Sequence, residues 1–376
     1  MLFRNDLRQT GKLQSLQLLR AIAVLFVVVS HCAHELVSLL SGRALNFNEK
    51  LFPGDFGVDL FFVISGFIMV YSCWDQFGRR GAPLKYFTRR LIRIVPLYWA
   101  ATTLMIAVIL LSPATVKTAT NDIGQWITSY LFLPYQRDGD GMIRPVLGLG
   151  WSLQYEMLFY LMFAVSLFFS RTRAVAGLLA ALVALVFGAS LLRSFSGGQS
   201  GALVTFLSHP IILEFGLGAG IGFAYCRGSR IPKLLGLLLV IFSGVFLMQM
   251  PGFDMTVDSA RAVLYGIPAS LIVIAAVLPE GDDQARLARP ILEMGEISYA
   301  TYLVHPFVVG GVSMLFRKSG LYDAMDPAGL VVGYTMSVVA LSIIISYLVH
   351  YLFDLPVTGY LRRISGALYG SRAQPA

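Results

Sequence analysis

Of the chain's 376 residues, 56% are hydrophobic and only 13% charged, where a water-soluble protein carries about 25% charged residues. With a mean hydropathy of +0.71, the pair of soluble domains usual for this length is excluded in favour of one all-α polytopic membrane domain, residues 1–376 with a helical core of about 16–363. The net charge of +8, a hint of nucleic acid in a soluble chain, becomes a question of where the Lys and Arg fall across a bilayer.

About ten apolar stretches are long enough to span. They run from about Leu16 to Leu40, Asp55 to Trp74, Ile94 to Ser112, Pro145 to Phe169, Ala174 to Leu192, Phe206 to Cys226, Leu234 to Pro251, Ala262 to Leu278, Ile297 to Phe316 and Leu330 to Phe353. With a cytoplasmic N-terminus, nineteen cations fall on inner segments and nine on outer ones, so the positive-inside rule places both termini in the cytoplasm. The first stretch is too long for the h-region of a cleaved leader and is expected to remain as the first helix. Cys32, Cys73 and Cys226 form no CxxC pair, and no structural disulfide is expected.

An ionisable side chain inside a span is a functional candidate by default. The first stretch carries Arg20, His31, His34 and Glu35. Arg20 and His31 are eleven residues apart, which puts them on one helix face about 16 Å apart along the axis. Arg20 then sits near the cytoplasmic edge and His31 deep in the outer half of the core. The alternative is that Arg20 snorkels to headgroups and His31 makes an interhelical hydrogen bond. The cluster His31-Cys32-Ala33-His34-Glu35 invites a metal reading, but its order is not H-E-x-x-H and no third ligand is identifiable, so no metal is expected. Glu35, one turn above His31, suits the orienting or charge-balancing of an imidazole.

The second stretch has Asp59 near its outer end and Ser65-Gly66 near mid-membrane, where small residues favour packing over nucleophilic work. Between the second and third stretches, Arg79 to Arg93 holds six cations. This run is either an anchor on anionic lipid or, through Arg89, Arg90 and Arg93, a guanidinium clamp for the phosphates of a cytosolic donor. Trp126 to Pro134 is too short to cross and reads as interfacial or re-entrant. The fourth stretch contains Trp151-Ser152-Leu153-Gln154-Tyr155-Glu156, with Glu156 near the midplane, and the ninth contains Ser298 to His305, with Tyr302 and His305 at a similar depth. A polar cavity shared by Ser65, Glu156 and His305 is the economical expectation. In the sixth stretch Glu214 lies mid-span beside glycines 216, 218, 220 and 222, whose spacing suits close helix packing.

Five motifs occur together: Arg-x10-His from Arg20 to His31, GVDLFFVISGF at 57–67, Arg90-x-x-Arg93 followed by Pro96 and Tyr98, WSLQYEMLFY at 151–160, and SYATYLVHP at 298–306. In this combination the chain resembles the membrane acyltransferase-3 family, in particular its stand-alone bacterial exopolysaccharide O-acetyltransferases, over nearly its whole length. The ending Asp354-Leu355-Pro356 before Arg362-Arg363 is similar to the family's close. The resemblance implies transfer of an acetyl group from cytosolic acetyl-CoA, as donor substrate, to a hydroxyl of a glycan or lipid-linked sugar at the bacterial inner membrane. It implies Arg20 and His31 as the essential pair and Arg90 and Arg93 near the CoA. We expect His31 as general base, with an acetyl-imidazole relay as the lesser version. Glu35 and Glu156 are expected to assist, Arg20, Arg89, Arg90, Arg93 and Ser65 to hold the donor, and Asp59, Trp151, Tyr302 and His305 to contact the acceptor. His34, a second histidine one turn on, departs from the common pattern. Expected partners are acetyl-CoA, the glycan or lipid-linked oligosaccharide and membrane lipids, not nucleic acid, with a second copy or a polysaccharide-assembly protein as macromolecular candidates. A transporter or flippase of a glycan precursor is the rival reading, since intramembrane charges suit a substrate pathway equally.

Overall fold

In the computed structural model, residues 11–40, 53–112, 121–138, 140–197, 200–249, 260–281 and 287–370 are described. Expectations that fall on Arg4, Arg8, Arg43, Lys50, Lys117, Arg286 and Arg372 lie outside them. The described residues form helices joined by short connections, with only isolated bridges in place of strands. Among the described residues, seven helical segments are long and apolar enough to cross a membrane: 14–39, 56–73, 82–111, 171–195, 202–226, 289–318 and 327–366. Shorter apolar helices at 233–249 and 262–277, and the helix at 151–166, fill the remaining expected positions. The helix at 233–249 leaves Leu234, Leu237, Leu238, Ile241, Phe242 and Val245 exposed, the outward apolar surface of a helix facing lipid.

The chain divides into two compact units, residues 1–68 with 217–348 and residues 69–216 with 349–376. In the first, α1 (Gly11–Leu39) packs most extensively on α11 (Arg289–Lys318). Val28, Cys32, Leu36 and Leu39 of α1, at the i, i+4 rhythm of one helix face, meet Val308, Val312 and Phe316 of α11 and Leu330, Tyr334 and Val338 of α13 (Pro327–Val349). α2 (Phe56–Cys73) approaches α1 closely through Gly57, where a Cβ would lie 2.3 Å from the Ala23 carbonyl oxygen. α8 (Ile212–Cys226) meets α2 at Gly218, where a Cβ would lie 2.0 Å from the Val63 oxygen. Of the glycine series in α8, Gly218 makes this approach while Gly220 faces open space.

In the second unit, α3 (Ala82–Leu111), α5 (Trp151–Ser166) and α6 (Arg171–Phe195) carry the core, with α14 (Leu355–Gly370) packed on α3. α4 (Ile123–Tyr130) is eight residues long and is capped by Asp122, whose carboxylate accepts from the backbone N–H groups of Gly124 and Gln125. The Tyr135 hydroxyl donates to the same carboxylate and holds its pKa below the ordinary range.

Proline explains where hydropathy misplaces the helices. Pro83 in a first turn lets α3 begin at Ala82, twelve residues before the expected Ile94, so Lys85, Arg89, Arg90 and Arg93 lie on a helix while Arg79 and Arg80 remain in the connection. Pro210 divides the expected sixth stretch into α7 (Ala202–Leu207) and α8, which puts Glu214 in a first turn. π-helical turns occupy Ala262–Gly266 and His350–Asp354, each ending two residues before a proline, Pro268 and Pro356. A proline has no N–H to offer the carbonyl four residues back, and the wider turn is where the ladder re-registers. The second π turn carries the last helix on to Gly370, past the expected end at Phe353.

Candidate active site

Three helices of the first unit build the site. On α1, the Arg20 guanidinium donates through Nη2 to Ser298 Oγ of α11 at 2.9 Å and through Nη1 to Gln17 Oε1 at 3.4 Å. Ser298 in turn donates to the Gly295 carbonyl at 2.8 Å. This foothold depends on Gly295, because a Cβ there would stand 2.4 Å from the Gln17 carbonyl oxygen and 2.6 Å from its Oε1. Gly295→Ala is therefore expected to push α11 off α1, costing about 1–3 kcal/mol by overpacking and loosening Arg20. A thermal melt in detergent matching wild type would contradict this.

Three turns along the same face, His31 Nδ1 lies 2.9 Å from the Val27 carbonyl oxygen. A carbonyl only accepts, so Nδ1 carries the proton and Nε2 carries the lone pair of the neutral ring. The main chain supplies the orienting partner for Nδ1, the task expected of Glu35. Glu35 itself accepts from Ser313 Oγ of α11 at 2.7 Å. His34 Nδ1 is held in the same way by the Ser30 carbonyl at 2.8 Å, but His34 is exposed, with ring centroids 6.2 Å from His31. His31 is half-buried and meets the ring of His305 at 4.7 Å, edge to face at 74°.

Ser298, Tyr302 and His305 follow at i, i+4 and i+7, one face of α11. The rings of Tyr302 and His305 lie 5.9 Å apart, and Tyr302 also meets Phe61 of α2 at 6.4 Å. Ser65, one turn beyond Phe61, is half-buried. Asp59 is fully buried. Its carboxylate takes Arg261 Nε at 3.0 Å and Arg261 Nη2 at 2.5 Å, so both oxygens expected to meet the acceptor are already engaged. Arg261, placed by hydropathy in an outer connection, is 1% exposed and has Tyr265 beneath its guanidinium at 5.4 Å.

The second unit holds the arginine group. Arg89 and Arg93 are one turn apart on α3, Arg89 exposed and Arg93 half-buried. Arg90 sits over the rings of Tyr86 at 5.5 Å and Tyr160 at 5.4 Å, and the Tyr160 hydroxyl donates to Glu156. Arg362 of α14 lies within electrostatic reach of Arg89, Arg90 and Arg93. Trp151 packs on Tyr155 at 5.9 Å, and Tyr155 stacks on Phe206 at 4.0 Å. Glu156 thus belongs to a different unit from Ser65 and His305, and the shared cavity expected of the three is not a feature of either unit by itself. Sequence reasoning missed the aromatic clamp on Arg90, although Tyr86 and Arg90, like Glu156 and Tyr160, stand at the i, i+4 spacing that signals it. It also missed Arg362, Ser298 and Arg261, whose partners lie far away in sequence.

Among the described residues no three His, Cys, Asp or Glu side chains are grouped as metal ligands. What the first unit offers is an imidazole of fixed tautomer with an anchored cation three turns below it. The second unit offers guanidinium groups suited to phosphate.

A family model described as an acyltransferase domain matches residues 13–347. Exopolysaccharide production protein ExoZ of Rhizobium meliloti (strain 1021) is 34% identical over 340 residues, covering 85% of this chain and 95% of that protein. Acyltransferase MdmB of Streptomyces mycarofaciens is 27% identical over 327 residues, 79% of each chain. No solved structure matches.

Proposed function

The chain belongs to this acyltransferase family, and on that premise we propose that it moves an acetyl group from cytosolic acetyl-CoA to a hydroxyl of an exopolysaccharide or lipid-linked glycan, with His31 as general base. Ten spans with both termini in the cytoplasm, in a bacterial inner membrane, complete the proposal. The observation that carries it is the His31 ring, held through Nδ1 by the Val27 carbonyl so that Nε2 is the basic nitrogen. The two relatives, one a protein of exopolysaccharide production and one an acyltransferase, support the acceptor class and the reaction class respectively.

An alcohol is a poor nucleophile until a base takes its proton. In the proposed reaction His31 Nε2 removes the hydroxyl proton as the oxygen attacks the thioester carbonyl. The C–S bond breaks, and the proton passes to the departing sulfur to give CoA thiol. CoA is too highly charged to enter hydrocarbon, so its phosphates stay with Arg89, Arg90 and Arg93 while the pantetheine arm reaches toward His31. Arg20 lies about 16 Å below His31 along the helix axis and steadies that arm. Glu35 and Glu156 support the geometry, and Ser65, Trp151 and Tyr302 contact the bound groups.

The test uses inverted membrane vesicles that carry their own glycan lipids, supplied with acetyl-CoA labelled in the acetyl group. Wild-type protein is expected to add label to the glycan fraction above vesicles lacking it. Equal incorporation would sink acetyl transfer. In the same assay Arg93→Gln is expected to raise the KM for acetyl-CoA about 10-fold, the loss of one charge-assisted phosphate contact, with kcat little changed. An unchanged KM would remove Arg93 from the donor site.

A further inference from the structure

The place of Arg362 on the last helix is set by packing. α14 leaves the second π turn at Leu355 and lies against α3. Its inner edge is marked by Asp354 and Thr358, both buried, with the Thr358 hydroxyl donating to the Asp354 carbonyl at 2.7 Å. Arg362 stands one turn past Thr358, at the i, i+4 spacing of one helix face. From there it lies within electrostatic reach of Arg93, Arg89 and Arg90 of α3. Two packed helices thus gather four guanidinium groups, and like charges held near one another repel unless an anion joins them.

The protein's own groups leave the Arg362 end of this cluster open. Arg90 has the ring faces of Tyr86 and Tyr160 on it. Asp354 is the carboxylate that meets Arg362, but one of its oxygens is on His350 Nδ1 at 2.9 Å and the other has no hydrogen-bond partner. Arg362 is therefore near Asp354 without being tied to it. Among the described residues its guanidinium makes no other hydrogen bond or ion pair, so a planar fork of N–H donors is available to a phosphate.

Exposure sorts the four cations. Arg90 and Arg93 are half-buried, whereas Arg89 and Arg362 are exposed. Coenzyme A is charged in two places, a pyrophosphate at the root of the pantetheine arm and a phosphomonoester on the ribose 3′ oxygen, at the end away from the thioester. The arm enters the protein, so the pyrophosphate suits the half-buried pair and the monoester suits the exposed side. We propose that Arg362 binds the 3′-phosphate of the donor and so makes the site selective for CoA over the same carrier lacking that phosphate. The inference rests on the acetyl-transfer reading, which gives the donor's phosphates to α3, and adds α14 to that site. An anionic lipid headgroup offers the same phosphate chemistry, and lipid composition separates the two.

The experiment titrates full-length protein in phosphatidylcholine nanodiscs with CoA and with dephospho-CoA, by calorimetry. Wild type is expected to bind CoA about 10-fold more tightly, the scale of one charge-assisted phosphate contact. Arg362 is exposed, so Arg362→Gln disturbs no packing. It is expected to weaken CoA about 10-fold and leave dephospho-CoA unchanged, so that the two bind alike. Arg363→Gln, at the next exposed cation about 100° round the helix, is expected to keep the wild-type preference, while Arg93→Gln weakens both ligands by the same factor. Adding phosphatidylglycerol should leave these ratios as they are. An Arg362→Gln protein that keeps the preference, or loses both ligands equally, would overturn the assignment, as would a preference lost just as far in Arg363→Gln. A variant that keeps the preference and melts differently from wild type only with phosphatidylglycerol present would make the lipid headgroup the ligand, and the assignment fails. Wild type that binds neither ligand would overturn the donor reading and this role together. Wild type that transfers label from acetyl-CoA in vesicles but binds both ligands equally overturns this role alone.

Discussion

Replacing His31 with Ala is expected to slow acetyl transfer about 1,000-fold, within the range for loss of a general base, while His34→Ala stays within about 3-fold of wild type. The two imidazoles are one turn apart and are oriented alike, each with Nδ1 on the carbonyl four residues back. What separates them is surroundings. His31 is half-buried against His305, whereas His34, one turn on, is exposed. A base works best where its proton cannot leak to water and where the charge it acquires meets fixed polar groups. A factor of about 1,000 in rate corresponds to about 4 kcal/mol of barrier, more than packing around a half-buried ring would move in kcat alone. The check is initial rate of label incorporation at saturating acetyl-CoA, with protein amount in each membrane measured by immunoblot. If His31→Ala matches wild type, the ring is structural and the base assignment fails. Equal losses at His31 and His34 would mean that the turn as a whole was disturbed, and the assignment to one imidazole fails with it.

Hydropathy reports apolar helices, and these were legible. The apolar stretches found helices, with His31 expected in the outer half of the core and His305 near the midplane on two of them, and the structure brings their rings to 4.7 Å. Azimuth and partner were not legible, because neither depends on neighbours in sequence. That His305 turns its ring onto His31 follows from Gly295 and Ser298, which let α11 settle against Gln17 and Arg20 of α1. Arg261 shows the same limit. At the head of an apolar stretch a lone cation is most simply read as interfacial, and only Asp59, two hundred residues earlier, makes its burial tolerable. Helix ends failed wherever a proline had two meanings. Pro83 opens a helix, Pro210 breaks one, and Pro268 and Pro356 are absorbed by π turns. Sequence alone does not say which of these tertiary packing will favour. The motifs identified the family because they are local runs of residues, and runs are what a sequence displays directly.

Asp59→Ala is expected to destabilise the protein by about 3–5 kcal/mol, the usual cost of removing one partner of a buried ion pair. Arg261 would be left 1% exposed with its counter-charge gone. The loss should spread toward the catalytic turn. Arg261 Nη2 also donates to the Asp55 carbonyl at 3.2 Å, and the Asp55 carboxylate accepts from Ser30, the residue before His31. A buried pair is costly to break and much less costly to replace whole, since apolar side chains of similar volume avoid the desolvation of both charges. The double variant Asp59→Leu with Arg261→Met is therefore expected to melt close to wild type in detergent while the single variant does not. It also separates two roles for Asp59. An anchor is replaceable, so transfer should return with the fold. A carboxylate that binds the acceptor is not, and a well-folded double variant without activity would show that Asp59 contacts the sugar in spite of its pairing with Arg261.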